Sequence, residues 1–380
     1  MLTNDECVIS VNILILPGDH IGPEITSAAL RVLERVNDVY SLRLNFETME
    51  VGLAALPLHR TTLPDSVVTA AREAAGVVLG PASMTYYPHL EQGGINVPGA
   101  VRRLLDLYAN IRPSRARAAM PDARPGLDLV MVRENTEGFY ADRNMFLGHA
   151  EVMPTPDVAL SIRKITAHAS KRIARTAFDL ARRRRKKVTA VHKETVLKMT
   201  DGLFMREVRA MAAQYPDVTF EGVMVDTMAA LLYHRPDQFD VVVITNMFGD
   251  ILSNEAAAMS GGLGLAAALN AGDDHAAANA AHGSAPDIAG QDKANPTSLM
   301  LSSGMLLDWL GTRHSRPDLS QAAVCIDHAL DTVLADPATR TGDLGGPLGT
   351  RAFSASVVAQ IERSASLLAH KPLARAAESA

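Results

Sequence analysis

The feature that most constrains this chain is a repeated unit: a short apolar run, a polar loop holding glycine or proline, then a helical stretch. Val8 to Leu16 is rich in Val and Ile and predicts a buried strand. It runs into Pro17-Gly18-Asp19-His20-Ile21-Gly22-Pro23-Glu24 and then into a helical pattern through Val36. Pro23 suits a first helical turn, where its missing N–H has no partner to lose. Gly76 to Gly80, Val130 to Val132, Val188 to Val191 and Val241 to Thr245 repeat the motif. Helical stretches lie between them at Ser66–Ala74, Ser170–Arg184 and Phe204–Gln214. Strands alternating with helices predict an α/β fold with covered sheets. The alanine-rich stretch Ala266–Ala281, broken by glycine and by Asp273, Asp274 and His275, reads as a loop and a short helix.

With 380 residues the chain is long enough for two domains sharing one architecture. A formal net charge of -5 gives no reason to expect a polyanionic partner. Arg182 to Lys187 is the one dense cationic run, and it lacks interleaved aromatics. It reads as the solvated end of a helix rather than a nucleic-acid surface. Cys7 and Cys325 are too few for a disulfide framework, which favours a reducing compartment. Met1 to Ser10 lacks the basic and apolar segments of a secretory signal, and no apolar run approaches about 20 residues. The expectation is a soluble, cytoplasmic protein with neither membrane nor nucleic acid as a partner.

Four segments carry candidate chemistry. Arg102 and Arg112 lie in Val101-Arg102-Arg103-Leu104-Leu105-Asp106-Leu107-Tyr108-Ala109-Asn110-Ile111-Arg112-Pro113, and Arg133 opens Arg133-Glu134-Asn135-Thr136-Glu137-Gly138-Phe139-Tyr140. Guanidinium forks bind carboxylates in pairs, so the three could converge on one dicarboxylate; surface ion pairs are the alternative. Asp226, and Asp250 in Asn246-Met247-Phe248-Gly249-Asp250-Ile251-Leu252-Ser253-Asn254, follow apolar runs, where a carboxylate serves as a hard-metal ligand or as a helix cap. His282-Gly283-Ser284-Ala285-Pro286-Asp287-Ile288-Ala289-Gly290, with Asn295 beyond, offers close backbone approach, and Asp287 could accept from a ribose hydroxyl or belong to an ordinary turn. Lys193 directly follows a buried strand, where desolvation would lower its pKa towards a catalytic range.

In order and spacing these segments resemble the isocitrate/isopropylmalate, or β-decarboxylating, dehydrogenase family, from Leu16-Pro17-Gly18-Asp19 to Thr341-Gly342-Asp343-Leu344-Gly345-Gly346. Gly249-Asp250-Ile251-Leu252-Ser253 and the His282–Gly290 loop are its most specific matches, and no G-x-G-x-x-G marks a conventional Rossmann domain. The resemblance implies an isopropylmalate-dehydrogenase-like fold of two α/β domains with a cleft between them. Residues 1–107 plus 261–380 would form one domain, and 108–260 would carry the dimer interface. It also implies a homodimer with shared active sites, Lys193 and Asp226 coming from the partner chain. Tyr140 would be the general acid, Lys193 would assist removal of the hydroxyl proton, and Arg102, Arg112 and Arg133 would clamp the substrate. Asp226 and Asp250, with Asn254, would hold Mg2+ or Mn2+. Ile21, His282, Gly283, Ser284, Ala285, Asp287, Ile288 and Asn295 would hold NAD, Asp287 repelling the extra phosphate of NADP.

The implied reaction is NAD-dependent oxidative decarboxylation of a 3-substituted (2R)-malate, a small hydroxy-dicarboxylate. Val97, Val101 and the partner's Val196 would make an apolar wall, which ranks 3-isopropylmalate or another 3-alkylmalate first, with Asn96 as the one side-chain donor in that loop. D-malate or tartrate comes next, then isocitrate or homoisocitrate. A non-catalytic regulatory subunit of a hetero-oligomeric dehydrogenase is the reading from another class. The chain departs from the family pattern at His20, Glu194-Thr195, Asn254 and Ala278-Asn279, and has Leu79 where isocitrate enzymes carry lysine.

Overall fold

The computed structural model describes residues 10–117, 120, 122–140 and 150–369, with side chains as far as 364. Cys7 and the start of the first predicted strand lie outside those residues. In chain order the elements are β1 (Val11–Leu16), α1 (Gly22–Tyr40), β2 (Leu44–Thr48), α2 (Leu56–His59), α3 (Asp65–Glu73), β3 (Gly76–Leu79), α4 (Val97–Leu104), β4 (Ala109–Arg115), β5 (Asp128–Glu134), β6 (Glu151–Thr155), β7 (Val158–Ser161), α5 (Ala167–Arg182), β8 (Lys187–His192), α6 (Thr200–Ala212), β9 (Thr219–Met224), α7 (Val225–His234), β10 (Val241–Ile244), α8 (Asn246–Met259), β11 (Ala267–Ala271), β12 (Ala276–Ala280), α9 (Thr297–Arg313), α10 (Pro317–Ala335) and α11 (Thr350–Ala369).

Ten strands form one sheet in the order β2-β1-β3-β12-β11-β4-β5-β10-β8-β9. The centre is antiparallel: β11 pairs antiparallel with both β12 and β4, and β4 with β5. The flanks are parallel, with β1 between β2 and β3 on one side and β5, β10, β8 and β9 on the other. This is an α/β fold, and its strand order is not that of a Rossmann domain. Helices cover both faces, which is why strands such as Val241–Ile244 are apolar at every position rather than alternating. One layer packs α1, α9, α10 and α11 on β1 and β12; another packs α3 and α4 on the opposite face. On the other flank α5 and α6 lie on one face, α7 and α8 on the other.

The alanine-rich stretch differs from the sequence expectation. Ala267–Ala271 and Ala276–Ala280 are the central strands β11 and β12, not a loop and short helix. Every residue of β11 is buried, so no alternation marked the strand, and burial overrides the helical preference of alanine. The cationic run is also not simply solvated. α5 ends at Arg182, beyond which Arg184 pairs with the buried Asp240 at 2.7 Å and with Asp128 at 2.9 Å, the latter also receiving Arg185. Pro23 does occupy the first turn of α1. Among the described residues no helix is long and apolar enough to cross a membrane, and Cys325 is a buried free thiol.

Candidate active site

The chemistry-bearing residues gather where parallel strands end. Open α/β sheets expose loops and helix N-termini beyond their carboxyl edge. Arg133 closes β5, Lys193 follows β8, Asp226 follows β9, and β10 leads into α8 with Asn246, Asp250 and Asn254. On the other flank β1 leads into Pro17–Gly22, β3 into Gly80–Ser83, and β12 into the His282 loop.

Asp250 is the hub of the first cluster. Its Oδ1 accepts from Arg133 Nη1 at 2.5 Å and from Arg112 Nη1 at 3.4 Å. The Tyr140 hydroxyl donates to its Oδ2 at 3.4 Å. Arg133 is fixed from behind, donating from Nε to the Asn246 carbonyl at 2.9 Å and from Nη2 to Asn246 Oδ1 at 2.7 Å. Gly249 makes that approach possible, since a Cβ there would lie 2.7 Å from Arg133 Cγ. Arg112 donates to Ser253 Oγ at 2.7 Å and to Asn110 Oδ1 at 2.6 Å. Burial pulls its guanidinium below the ordinary value while Asp250 opposes the shift. Asn254 lies one turn beyond Asp250 on α8, exposed on the same side of the helix.

Lys193 and Asp226 form a second cluster. Lys193 Nζ meets Asp226 Oδ2 at 2.8 Å, and this contact holds the Asp226 carboxyl below its usual range. Lys193, expected from the sequence to be partly desolvated, is 26% exposed and ion-paired. Its backbone N–H donates to Asp201 Oδ2 at 2.6 Å, and the fully buried Asp201 also pairs with Arg163. Arg163 reaches on to the Thr245 hydroxyl at 3.1 Å, at the start of α8. Neither Lys193 nor Asp226 hydrogen-bonds or ion-pairs with Asp250, Arg112 or Arg133 within the described residues. No three metal-capable acids or histidines come together among the described residues. Asp226, Asp250 and the Asn254 carbonyl are all hard oxygen donors, which fits Mg2+ or Mn2+.

The third cluster is the loop after β12. The Ser284 carbonyl accepts from Ile21 N–H at 3.1 Å, Ala285 sits in the left-handed region (φ 37°), and Asn295 Nδ2 donates to Asp343 at 3.0 Å. A Cβ at Gly283 or Gly290 would meet nothing within 4 Å, so the loop has open space beside it. His282 Nδ1 faces the Gly283 carbonyl at 2.9 Å, and its buried Nε2 has no partner, while burial lowers its pKa. An orphaned buried ring nitrogen beside open backbone fits a loop that receives a polar ligand such as a dinucleotide. Asp287 is exposed in a short 3-10 turn with Ile288.

The apolar substrate wall expected from the sequence does not form. Val97 is 0% and Val101 3% exposed, both packed in the core with Leu14, Leu16 and Leu79. Val97, Ala100 and Val101 are the inward stripe of α4 and cannot touch a ligand. Asn96 caps α4, its Oδ1 accepting from Gly99 N–H at 2.9 Å, so part of its polar capacity serves the helix. Arg102 stands half-buried on the last turn of α4, and Val196 is 69% exposed beyond β8. Sequence reasoning missed Asn110, Asn246, Ser253 and Asp201. The signal for Asn246 was its place at the end of an apolar strand, four residues before Asp250.

An α/β chain with paired arginines, a tyrosine and a lysine gathered around carboxylates beyond its strand ends has the features of a dehydrogenase of hydroxy-acids. Residues 12–360 match the family described as isocitrate/isopropylmalate dehydrogenase, and the chain belongs to that family of decarboxylating dehydrogenases. It is 41% identical over 352 residues to the isocitrate/homoisocitrate dehydrogenase of Thermus thermophilus, covering 92% of this chain and 98% of that protein. It is 39% identical over 354 residues to the 3-isopropylmalate dehydrogenase of Methanothermobacter thermautotrophicus, covering 93% and 99%. The crystal structure of isocitrate dehydrogenase from Methylococcus capsulatus superposes with a TM-score of 0.81 at 39% identity, covering 92% of this chain and 99% of that one.

Proposed function

We propose that this chain is a catalytic subunit that oxidises and decarboxylates a 3-substituted (2R)-malate with NAD and a divalent cation. The observation that carries the reading is the convergence of Arg112, Arg133 and Tyr140 on Asp250. A regulatory subunit has no need of all four together with a Lys193–Asp226 pair. Arg112 and Arg133, with Arg102, would grip the carboxylates of the acid as two-pronged donors. Lys193 would assist removal of the C2 hydroxyl proton as hydride leaves C2 for NAD. CO2 would then leave C3, and the Tyr140 hydroxyl would protonate the carbon left behind. Mg2+ or Mn2+ on Asp226, Asp250 and Asn254 would polarise the C2 oxygen when bound. Ile21, Ser284, Asp287 and their neighbours would hold NAD, and the exposed carboxylate of Asp287 would disfavour the 2'-phosphate of NADP.

Three features support a homodimer with shared sites and the division into domains 1–107 plus 261–380 and 108–260. Among the described residues the Lys193–Asp226 pair makes no hydrogen bond or ion pair to Asp250, and Asp226 is 60% exposed. The β6–β7 ribbon is exposed throughout, with Val152, Met153 and Leu160 bare, as are Ile251 and Tyr233. Exposed apolar surface of this kind marks an association face. The core clusters also fall largely on either side of residues 108 and 261. A cytoplasmic location accords with the free buried thiol of Cys325.

An alkyl group at C3, as in 3-isopropylmalate, is our first reading, resting now on exposed Val196 alone. Isocitrate or homoisocitrate is the second, favoured because α4 offers no apolar wall and carries an exposed Arg103. Competitive kinetics with 3-isopropylmalate, D-malate and isocitrate decide between them. A clear preference for isocitrate would reject the alkyl reading and make Arg103→Ala the next variant to test.

A further inference from the structure

His20 stands in the left-handed region at φ 53°, a backbone that side chains other than glycine adopt at a cost. Its ring does specific work there. His20 Nδ1 lies 2.5 Å from Ser83 Oγ, and Ser83 Oγ donates to Ser284 Oγ at 2.5 Å. Ser83 Oγ therefore bridges His20 Nδ1 and Ser284 Oγ, since a hydroxyl both donates and accepts. The three residues come from three separate loops, those following β1, β3 and β12. Ser83 is itself pinned, its N–H donating at 2.7 Å to Asp19 Oδ2, which also accepts from Tyr87 at 2.7 Å. The ring of His20 also packs edge-on against Tyr86 at 5.2 Å. Ser83 and Ser284 are both buried, so little water is available to replace the chain if it breaks.

We infer that His20 is a positioning residue for the cofactor loop: through Ser83 it fixes Ser284, and with it the backbone from Gly283 to Gly290. This rests on our reading of that loop as the NAD site. Removing the strained residue should relax the backbone and loosen the loop together.

The test uses His20→Gly and Ser83→Ala in the full chain. Glycine accepts the left-handed backbone, so His20→Gly should fold with a melting temperature close to that of the wild type. Ser83→Ala leaves His20 in place but breaks the chain. Hydrogen exchange of residues 283–290 in the free protein should be faster in both variants. KM for NAD should rise about 3- to 10-fold, the equivalent of one hydrogen bond, with KM for the hydroxy-acid changed far less. The double variant should be no worse than either single one, since each removes the same link. Unchanged exchange in both variants overturns the inference and leaves the NAD assignment standing. Faster exchange with an unchanged KM for NAD overturns it too, and removes the loop from the cofactor site.

Discussion

Arg133 and Asp250 meet at 2.5 Å, and the guanidinium is buried while the carboxylate is one-third exposed. The pair therefore has a protected side, facing Asn246, and an accessible one. Asp250→Asn should remove a counter-charge shared by Arg133 and Arg112 and lower unfolding stability by about 1–3 kcal/mol. Turnover should fall by roughly 100-fold or more if, as proposed, Asp250 holds the cation. Urea unfolding and steady-state assays check both; full stability with full activity would remove Asp250 from the site.

Sharing of the site between subunits has a direct test. Lys193→Met and Tyr140→Phe should each be nearly inactive alone. Mixed, unfolded and reassembled in equal amounts, half the dimers would be hybrids with one intact site. Activity should recover to about a quarter of the wild type, as two-fold symmetry dictates. No recovery on verified hybrids would place Lys193 and Tyr140 of one site in the same chain.

Asn254 presents an oxygen without a charge one turn from Asp250. Asn254→Asp should tighten Mn2+ binding, because ligand charge tunes the affinity of such sites. Calorimetry showing no gain would put position 254 outside the coordination shell.

Glu137 gives the fold a pH dependence. Burial raises its pKa to about 7, against donation from Thr166 N–H at 2.8 Å and with Glu134 adding to the rise. The folded value lies above the ordinary one, so the protonated carboxyl stabilises the fold fully below about pH 4.5, and that contribution is lost as pH rises through about 7. Glu137→Gln should flatten the stability curve between about pH 5 and 8 and match or exceed the wild type at the alkaline end. Parallel curves for the two proteins would contradict this.

The sequence made the architecture legible where apolar runs ended in polar loops, since those ends are where the sheet delivers Arg133, Lys193 and Asp250. It misled at β11 and β12 because strands buried on both faces carry no alternation, and alanine suggests helix. It misled at Val97 and Val101 for another reason. Their spacing with Ala100 is the inward stripe of a short helix, so resemblance assigned to a ligand two side chains that the core already holds. The Lys193–Asp226 pair and the His20–Ser83–Ser284 chain join residues 33, 63 and 201 positions apart, a nearness that only folding creates.

The proposed reaction joins oxidation and decarboxylation on a 3-substituted malate. Its most direct measurement follows CO2 from a substrate labelled in the carboxylate on C3, alongside NADH, with and without Mn2+. Equal amounts of CO2 and NADH are expected, both dependent on the cation. NADH formed without labelled CO2, or neither formed with any 3-substituted malate, would contradict it.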